Sequence, residues 1–265
     1  MTSTREQSRT DIHADTPVET QAEVPPQVTP AAPRVRKRRR PVTAYWRVVG
    51  TIAWKDLRAE MRSRELINSM ALFTAMVVMV FSLALELDAQ ARRSVVTGVL
   101  WVAIVFAGML GLSRSLAAEK DRGSLDALLL APIDRSALFF GKVIGNLLFV
   151  LVVAAVLLVL LTIMFDMALM KPLLLLVVLL GSVGFTTVGT LLASMSVHAR
   201  ARETLLPILL LPVVLPLLLS AIRASSAILE DLPTVEWRSN LELLVIADVI
   251  FLVGAYALFD FVVEE

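Results

Sequence analysis

The chain alternates between two textures. After a polar opening, six apolar blocks run over about 66–85, 95–116, 138–165, 171–196, 204–222 and 241–261, and the charge is concentrated between and before them. A helix needs about 20 residues, at about 1.5 Å each, to cross about 30 Å of hydrocarbon. Each block is therefore read as a transmembrane helix, and the third and fourth exceed the requirement, so they are expected to tilt or project. Residues 43–64 are patterned differently. Trp46, Val49, Ala53, Leu57 and Met61 recur at helical spacing, with Arg47, Lys55, Asp56, Arg58, Glu60, Arg62 and Arg64 around the remaining face. This predicts an amphipathic helix lying in the membrane interface, with Tyr45, Trp46 and Trp54 at headgroup level. The expected architecture is an all-α membrane domain over 43–265, with six transmembrane helices and an N-terminal interfacial helix.

Residues 1–42 read as a disordered tail. Pro17, Pro25, Pro26, Pro30, Pro33 and Pro41 interrupt a polar stretch with almost nothing to bury, and no apolar signal segment precedes the spans. The tail ends in a basic run from Arg34 to Arg40. Such a run suits nucleic acid or anionic lipid; directly before a membrane domain it is read as attraction to lipid, with no nucleic-acid partner.

The basic residues also set an orientation. They crowd the segment before the first span, then recur in the second connection (Arg114, Lys120, Arg122, Arg135) and the fourth (Arg200, Arg202). The odd connections hold fewer, Arg92 with Arg93, Lys171, and Arg223 with Arg238. Positive charge stays on the cytoplasmic side, so both termini are expected there, in the plasma (inner) membrane of a bacterium.

Composition narrows the chemistry. The chain is 57% hydrophobic and 18% charged, against about 45–50% and about 25% in soluble domains. It has no cysteine, which removes disulfides, thiolate nucleophiles and cysteine-held clusters. No Walker A sequence is present: Gly141-Lys142-Val143 lacks the preceding glycine spacing and the Ser/Thr. No activated nucleophile or metal set is visible within the spans, so the chain is read as non-catalytic.

The second connection carries the most informative segment. Glu119-Lys120-Asp121-Arg122 leads to Gly123, where a sharp turn is permitted. Leu125, Leu128 and Leu129 then fall at i, i+3 and i+4, and Pro132 closes the stretch. This describes a short amphipathic helix outside the bilayer, of the kind that fits a groove on a cytoplasmic motor. Gly141 and Gly145 form a small-xxx-small pair, and Ser182, Thr186, Thr190 and Ser194 line one side of the fourth block beside Gly181, Gly184, Gly189 and Ala193. Small residues let helices approach and hydroxyls can bond across, so packing is expected there. Pro212 and Pro216 interrupt the fifth block and should bend or unwind it, as a hinge or as a static kink. Asp248 lies inside the sixth, where an isolated carboxylate is costly, and it is expected to face inward, paired with Arg223 or Arg114 or protonated. Trp46, Trp54, Trp101 and Trp237 are scattered and are read as interface anchors or packing residues.

The segment 119–132 resembles the E-x-x-x-G-[ST]-L-x-x-L-L-x-x-P element between the second and third spans of ABC-2-type exporter permeases. Beyond it, Trp54-Lys55-Asp56-Leu57-Arg58-Ala59-Glu60, the stretch Leu100-Trp101-Val102-Ala103-Ile104-Val105-Phe106-Ala107, and Arg202-Glu203-Thr204-Leu205-Leu206-Pro207 running on to Pro212 and Pro216 resemble the CcmB (haem exporter protein B) family of cytochrome c maturation permeases. The resemblance covers about 45–222 well and the last span more loosely. It implies a permease subunit whose ATPase is a separate CcmA-like chain. It also implies assembly with a CcmC-like haem-handling subunit and a CcmE-like haem carrier, whose release is coupled to ATP hydrolysis. By this resemblance ATP sits on the partner ATPase and haem on partner subunits. The residues agree with the second assignment: haem iron takes His, Cys, Met or Tyr, and His13 falls in the tail and His198 in the fourth connection. Glu119, Gly123, Leu125, Leu128, Leu129 and Pro132 would be the ATPase-coupling residues. The alternative reading is an ABC-2-type permease exporting another substrate, a lipid, drug or glycan.

Overall fold

The computed structural model describes residues 42–62, 64–84, 89–121, 135–196 and 202–262. Residues 1–41, with nearly all of the expected tail, lie outside them. The described residues form seven helices and no strand: α1 (Val42–Arg62), α2 (Arg64–Ala84), α3 (Ala89–Asp121), α4 (Arg135–Phe165), α5 (Pro172–Ser196), α6 (Arg202–Leu229) and α7 (Thr234–Val262). The all-α membrane fold expected from the apolar blocks is the observed one. Five helices, α3 to α7, are long and apolar enough to cross a membrane, while α2 contributes a shorter apolar stretch, Ala71–Leu83.

The helices end where local chemistry stops them. α4 closes with Asp166 in the left-handed region (φ 50°) and the Met167 amide donating to the Thr162 carbonyl at 3.3 Å. α6 repeats the device: Asp231 has φ 53°, and the Leu232 amide donates to the Ala227 carbonyl at 2.9 Å. Both are Schellman-type ends, with aspartate where glycine is commonest. Lys171, just ahead of α5, joins the two turns: its Nζ donates to the Ile228 carbonyl at 2.9 Å and meets Asp231 Oδ1 at 2.5 Å.

The core lies among α3, α4, α5 and α6, where Trp101, Ile104, Leu157, Leu174, Phe185, Leu210 and Ala221 are buried in one cluster. Glycines allow the close approach. A Cβ built on Gly181 would run into the Trp101 ring, one on Gly108 would meet Phe185, and one on Gly189 would meet Leu112 at 2.6 Å. The stripe on α5 is thus a packing seam, as its small residues imply. Its hydroxyls mostly bond back to their own helix, Thr186 to the Ser182 carbonyl and Ser194 to the Thr190 carbonyl.

Two expectations need correction. α6 is helical without a break through Pro212 and Pro216, so the expected unwinding does not occur. Both prolines are exposed on the outside of the bundle, and Ser220 Oγ donates to the Pro216 carbonyl at 3.1 Å. In α1 the face assignment is wrong. Val49, Ile52, Ala53 and Asp56 are buried, whereas Trp46 and Trp54 are 59% and 64% exposed and Met61 is exposed too. Asp56 belongs inside because a lysine on another helix meets it, a fact periodicity within one helix does not carry.

Candidate functional site

Two regions hold the residues singled out by the sequence. The first is the end of the bundle where α1, the last turns of α3 and the first turns of α4 meet. α1 lies against α4 so closely that a Cβ on Gly141 would fall 2.8 Å from Ile52 Cβ, and one on Gly145 would fall 3.3 Å from Asp56 Cβ. The small-xxx-small pair therefore receives α1. Between the two glycines Lys142 is buried, its Nζ 3.9 Å from Asp56 Oδ2, and the half-exposed Lys55 reaches Asp56 Oδ1 at 3.0 Å. At 3.9 Å the first contact is an ion pair without a direct hydrogen bond. The Tyr45 hydroxyl donates to Ser136 Oγ at 3.4 Å, which ties the start of α1 to the start of α4.

The segment 119–132 is strung between the same two helices, since α3 runs to Asp121 and α4 starts at Arg135. Glu119 is in the last turn of α3. Gly123, Leu125, Leu128, Leu129 and Pro132 lie outside the described residues. The structure brings together the two helices that carry this segment and adds a third, α1, which the sequence did not connect to it. The signal for that connection was available only in pieces: an acid on one amphipathic helix, and a lysine between two glycines on another.

The second region is the middle of the α5–α7 assembly. Asp248 is 5% exposed, and among the described residues neither of its carboxyl oxygens has a hydrogen-bond partner. It lies against Gly184, where an added Cβ would strike both Asp248 Oδ1 and Leu217. The expected partner Arg223 is exposed; the side chain of Arg114 lies outside the described residues. Because α7 begins at Thr234, Asp248 sits at the middle of its helix. The inward orientation agrees with the expectation; pairing with Arg223 is contradicted.

The polar contacts that do cross between helices are elsewhere. The Trp101 indole donates to Ser225 Oγ at 3.0 Å, Thr97 and Ser226 share a hydrogen bond at 2.7 Å, and Asn146 Nδ2 donates to Thr190 Oγ1 at 2.9 Å. Thr97 and Trp101 are one turn apart on α3 and meet two adjacent serines on α6. Trp101 is thus a packing residue at the centre of the bundle and not an interface anchor. Pro212 and Pro216 face away from all of these groups. No group of three or more His, Cys, Asp or Glu side chains stands together among the described residues.

Two cavities open on the outside of the bundle. One, of about 210 Å³, lies among α1, α2 and α4 and is lined by Met61, Thr74, Phe149 and Val152 among others. The other, of about 320 Å³, lies at the opposite end beside Lys171, Asp231, Leu232 and Trp237. Asp248 lines neither.

Comparison with known proteins gives a consistent result. A protein-family model described as "CcmB protein" matches residues 47–261. Heme exporter protein B of Pseudomonas aeruginosa is 29% identical over 202 residues, covering 73% of this chain and 88% of that relative. Heme exporter protein B of Rhodobacter capsulatus is 28% identical over 170 residues, covering 62% of this chain and 76% of that relative.

Proposed function

Because the chain belongs to the CcmB family, whose model spans residues 47–261, we propose that it is the membrane permease subunit of an ABC-type complex for haem handling in cytochrome c maturation. In this reading a separate CcmA-like ATPase supplies the energy. A CcmC-like subunit and a CcmE-like carrier hold the haem, and the ATP-driven step releases the loaded carrier. This chain binds neither ATP nor haem and has no enzymatic step of its own. It crosses the bacterial inner membrane several times with both termini cytoplasmic, as its basic residues are distributed.

The observation that carries the reading is the joint at one end of the bundle. The segment with Glu119, Gly123, Leu125, Leu128, Leu129 and Pro132 connects α3 to α4, and α4 is clamped to α1 by Gly141, Gly145 and the Asp56–Lys142 pair. An ATPase pressing on that segment moves the start of α4, and α1 travels with it. The motion then passes along α4 and α3 into the seam with α5 and α6.

The test replaces Leu125 and Leu128 with Asp in the assembled complex. A charge on the docking face cannot enter an apolar groove without a desolvation cost. We expect loss of ATPase co-purification, or ATP hydrolysis that no longer supports cytochrome c maturation. Normal assembly and maturation in the double variant would remove the docking helix from the mechanism.

A further inference from the structure

We propose that the groove among α1, α2 and α4 is a binding site for one anionic phospholipid of the surrounding bilayer, with an acyl chain in the groove and the headgroup on Arg58 and Arg62. The groove follows a stripe on α4, Phe149, Val152, Val153 and Val156, faced by Ala71 and Thr74 on α2. That stripe rises about 10 Å along the helix at about 1.5 Å per residue. Thr74 offers the only side-chain hydroxyl in the lining, so the walls suit hydrocarbon and no polar ligand. The volume of about 210 Å³ accommodates a length of alkyl chain. Met61, near the end of α1, borders the groove.

The headgroup end is defined by charge. At about 100° per residue, Arg58 and Arg62 fall on one flank of Met61, so both guanidinium groups are carried at the border that Met61 forms. Both are exposed, and neither makes an ion pair or a side-chain hydrogen bond among the described residues. An unpaired arginine pair beside an apolar slot matches an amphiphile with a phosphate at one end: guanidinium forks bind phosphate oxygens in pairs, while the slot removes methylenes from contact with the interface. A neutral lipid would fill the slot and leave the arginines without a partner. A second copy of this chain would bring apolar side chains to the slot and no anion to Arg58 and Arg62.

The site is independent of the permease reading, and its test uses the full chain purified in mild detergent. Native mass spectrometry measures retention of added phosphatidylglycerol against phosphatidylcholine. The variants are Arg58→Gln with Arg62→Gln, which removes the anion partner, and Val152→Trp, which fills the slot at a half-exposed position. Ala71→Leu is a second, milder filler should the first fail to fold. Val159→Trp on the same helix outside the slot and Arg238→Gln at the far end are controls. We expect one phosphatidylglycerol held in preference to phosphatidylcholine, and retention weakened on the order of tenfold by the arginine pair. The fillers should abolish it and the controls leave it unchanged. Equal retention of the two lipids would overturn the headgroup assignment. Loss in the arginine variant but not in either filler would reduce the site to surface charge. A change in oligomeric state on filling, without a change in lipid, would give the groove to a second copy of the chain.

Discussion

Two buried acids in this molecule each rest against a glycine, and their surroundings differ in one respect. Asp56 lies over Gly145 at the α1–α4 joint, with Lys142 and Lys55 at its two oxygens. Asp248 lies over Gly184 at the middle of α7 with no partner for either oxygen among the described residues. The glycine explains why an acid fits in both places: without a side chain, the neighbouring helix leaves a notch one carboxyl wide. It does not explain the charge. At the end of the bundle a lysine stem can run along apolar surface and bring its head to the acid. In the central stretches 173–199, 203–222 and 239–262 there is no lysine or arginine to do so except at the ends, Arg200, Arg202, Arg223 and Arg238 lying in the connections or helix ends. The comparison teaches that a buried acid in a membrane bundle is a clamp where a base reaches it, and a local weakness where none does.

The largest expected effect comes from breaking the clamp. Removing one partner of a buried ion pair typically costs about 3–5 kcal/mol. Lys142→Met leaves Asp56 with Lys55 still beside it, so a loss of about 1–3 kcal/mol is expected. Thermal unfolding of the full chain in detergent measures it, and Asp56→Asn combined with Lys142→Met should recover most of the loss. A double variant as unstable as the single would show that the pair's charge is not what joins α1 to α4.

Asp248→Asn is expected to do far less. The amide keeps the shape in the Gly184 notch and removes any charge, so stability should stay within about 1 kcal/mol of the natural chain. A loss as large as that of Lys142→Met would reveal a cationic partner for Asp248 and erase the contrast. The smallest effect tests the glycines themselves. Gly50 lies in the interior of α1 with nothing within 4 Å of an added Cβ, unlike Gly145. Gly50→Ala should stabilise the chain by about 0.5–1 kcal/mol, read in the same melting experiment; destabilisation would mean that α1 has a second close neighbour on that side.

The helices could be read from the chain because lipid-length apolar blocks are long, nearly uncharged and bounded by charge. The facing of those helices could not be read in the same way. In water the inward face is the apolar one, but here lipid-facing positions such as Ile163, Ile208, Ile246 and Val253 are as apolar as the core. What marks the inside is smallness and hydroxyls, and that signal did locate the α5 seam correctly. It missed the Trp101–Ser225 and Thr97–Ser226 contacts, because pairing of α3 with α6 is a property of the assembled bundle. Asp56 was missed for the same reason: a lysine 86 positions away along the chain turns a surface residue into a core one. Of the candidate site, Asp248 was legible as a buried acid, but its position at mid-helix was not, since α7 begins at Thr234, ahead of the block's apolar start near 241.

The contact of Lys171 with Ile228 and Asp231 fastens the turn between α4 and α5 to the turn between α6 and α7. Viewed mechanically, this is a fulcrum. Four rods are pinned together at one end, and the opposite ends, where α4 begins and α5 finishes, are joined to their neighbours by the 122–134 and 197–201 connections. A load applied at those far ends has its longest moment arm about the pin. The least travel occurs beside Lys171 and the greatest at the α1–α4 joint, with Asp248, halfway along, seeing an intermediate displacement.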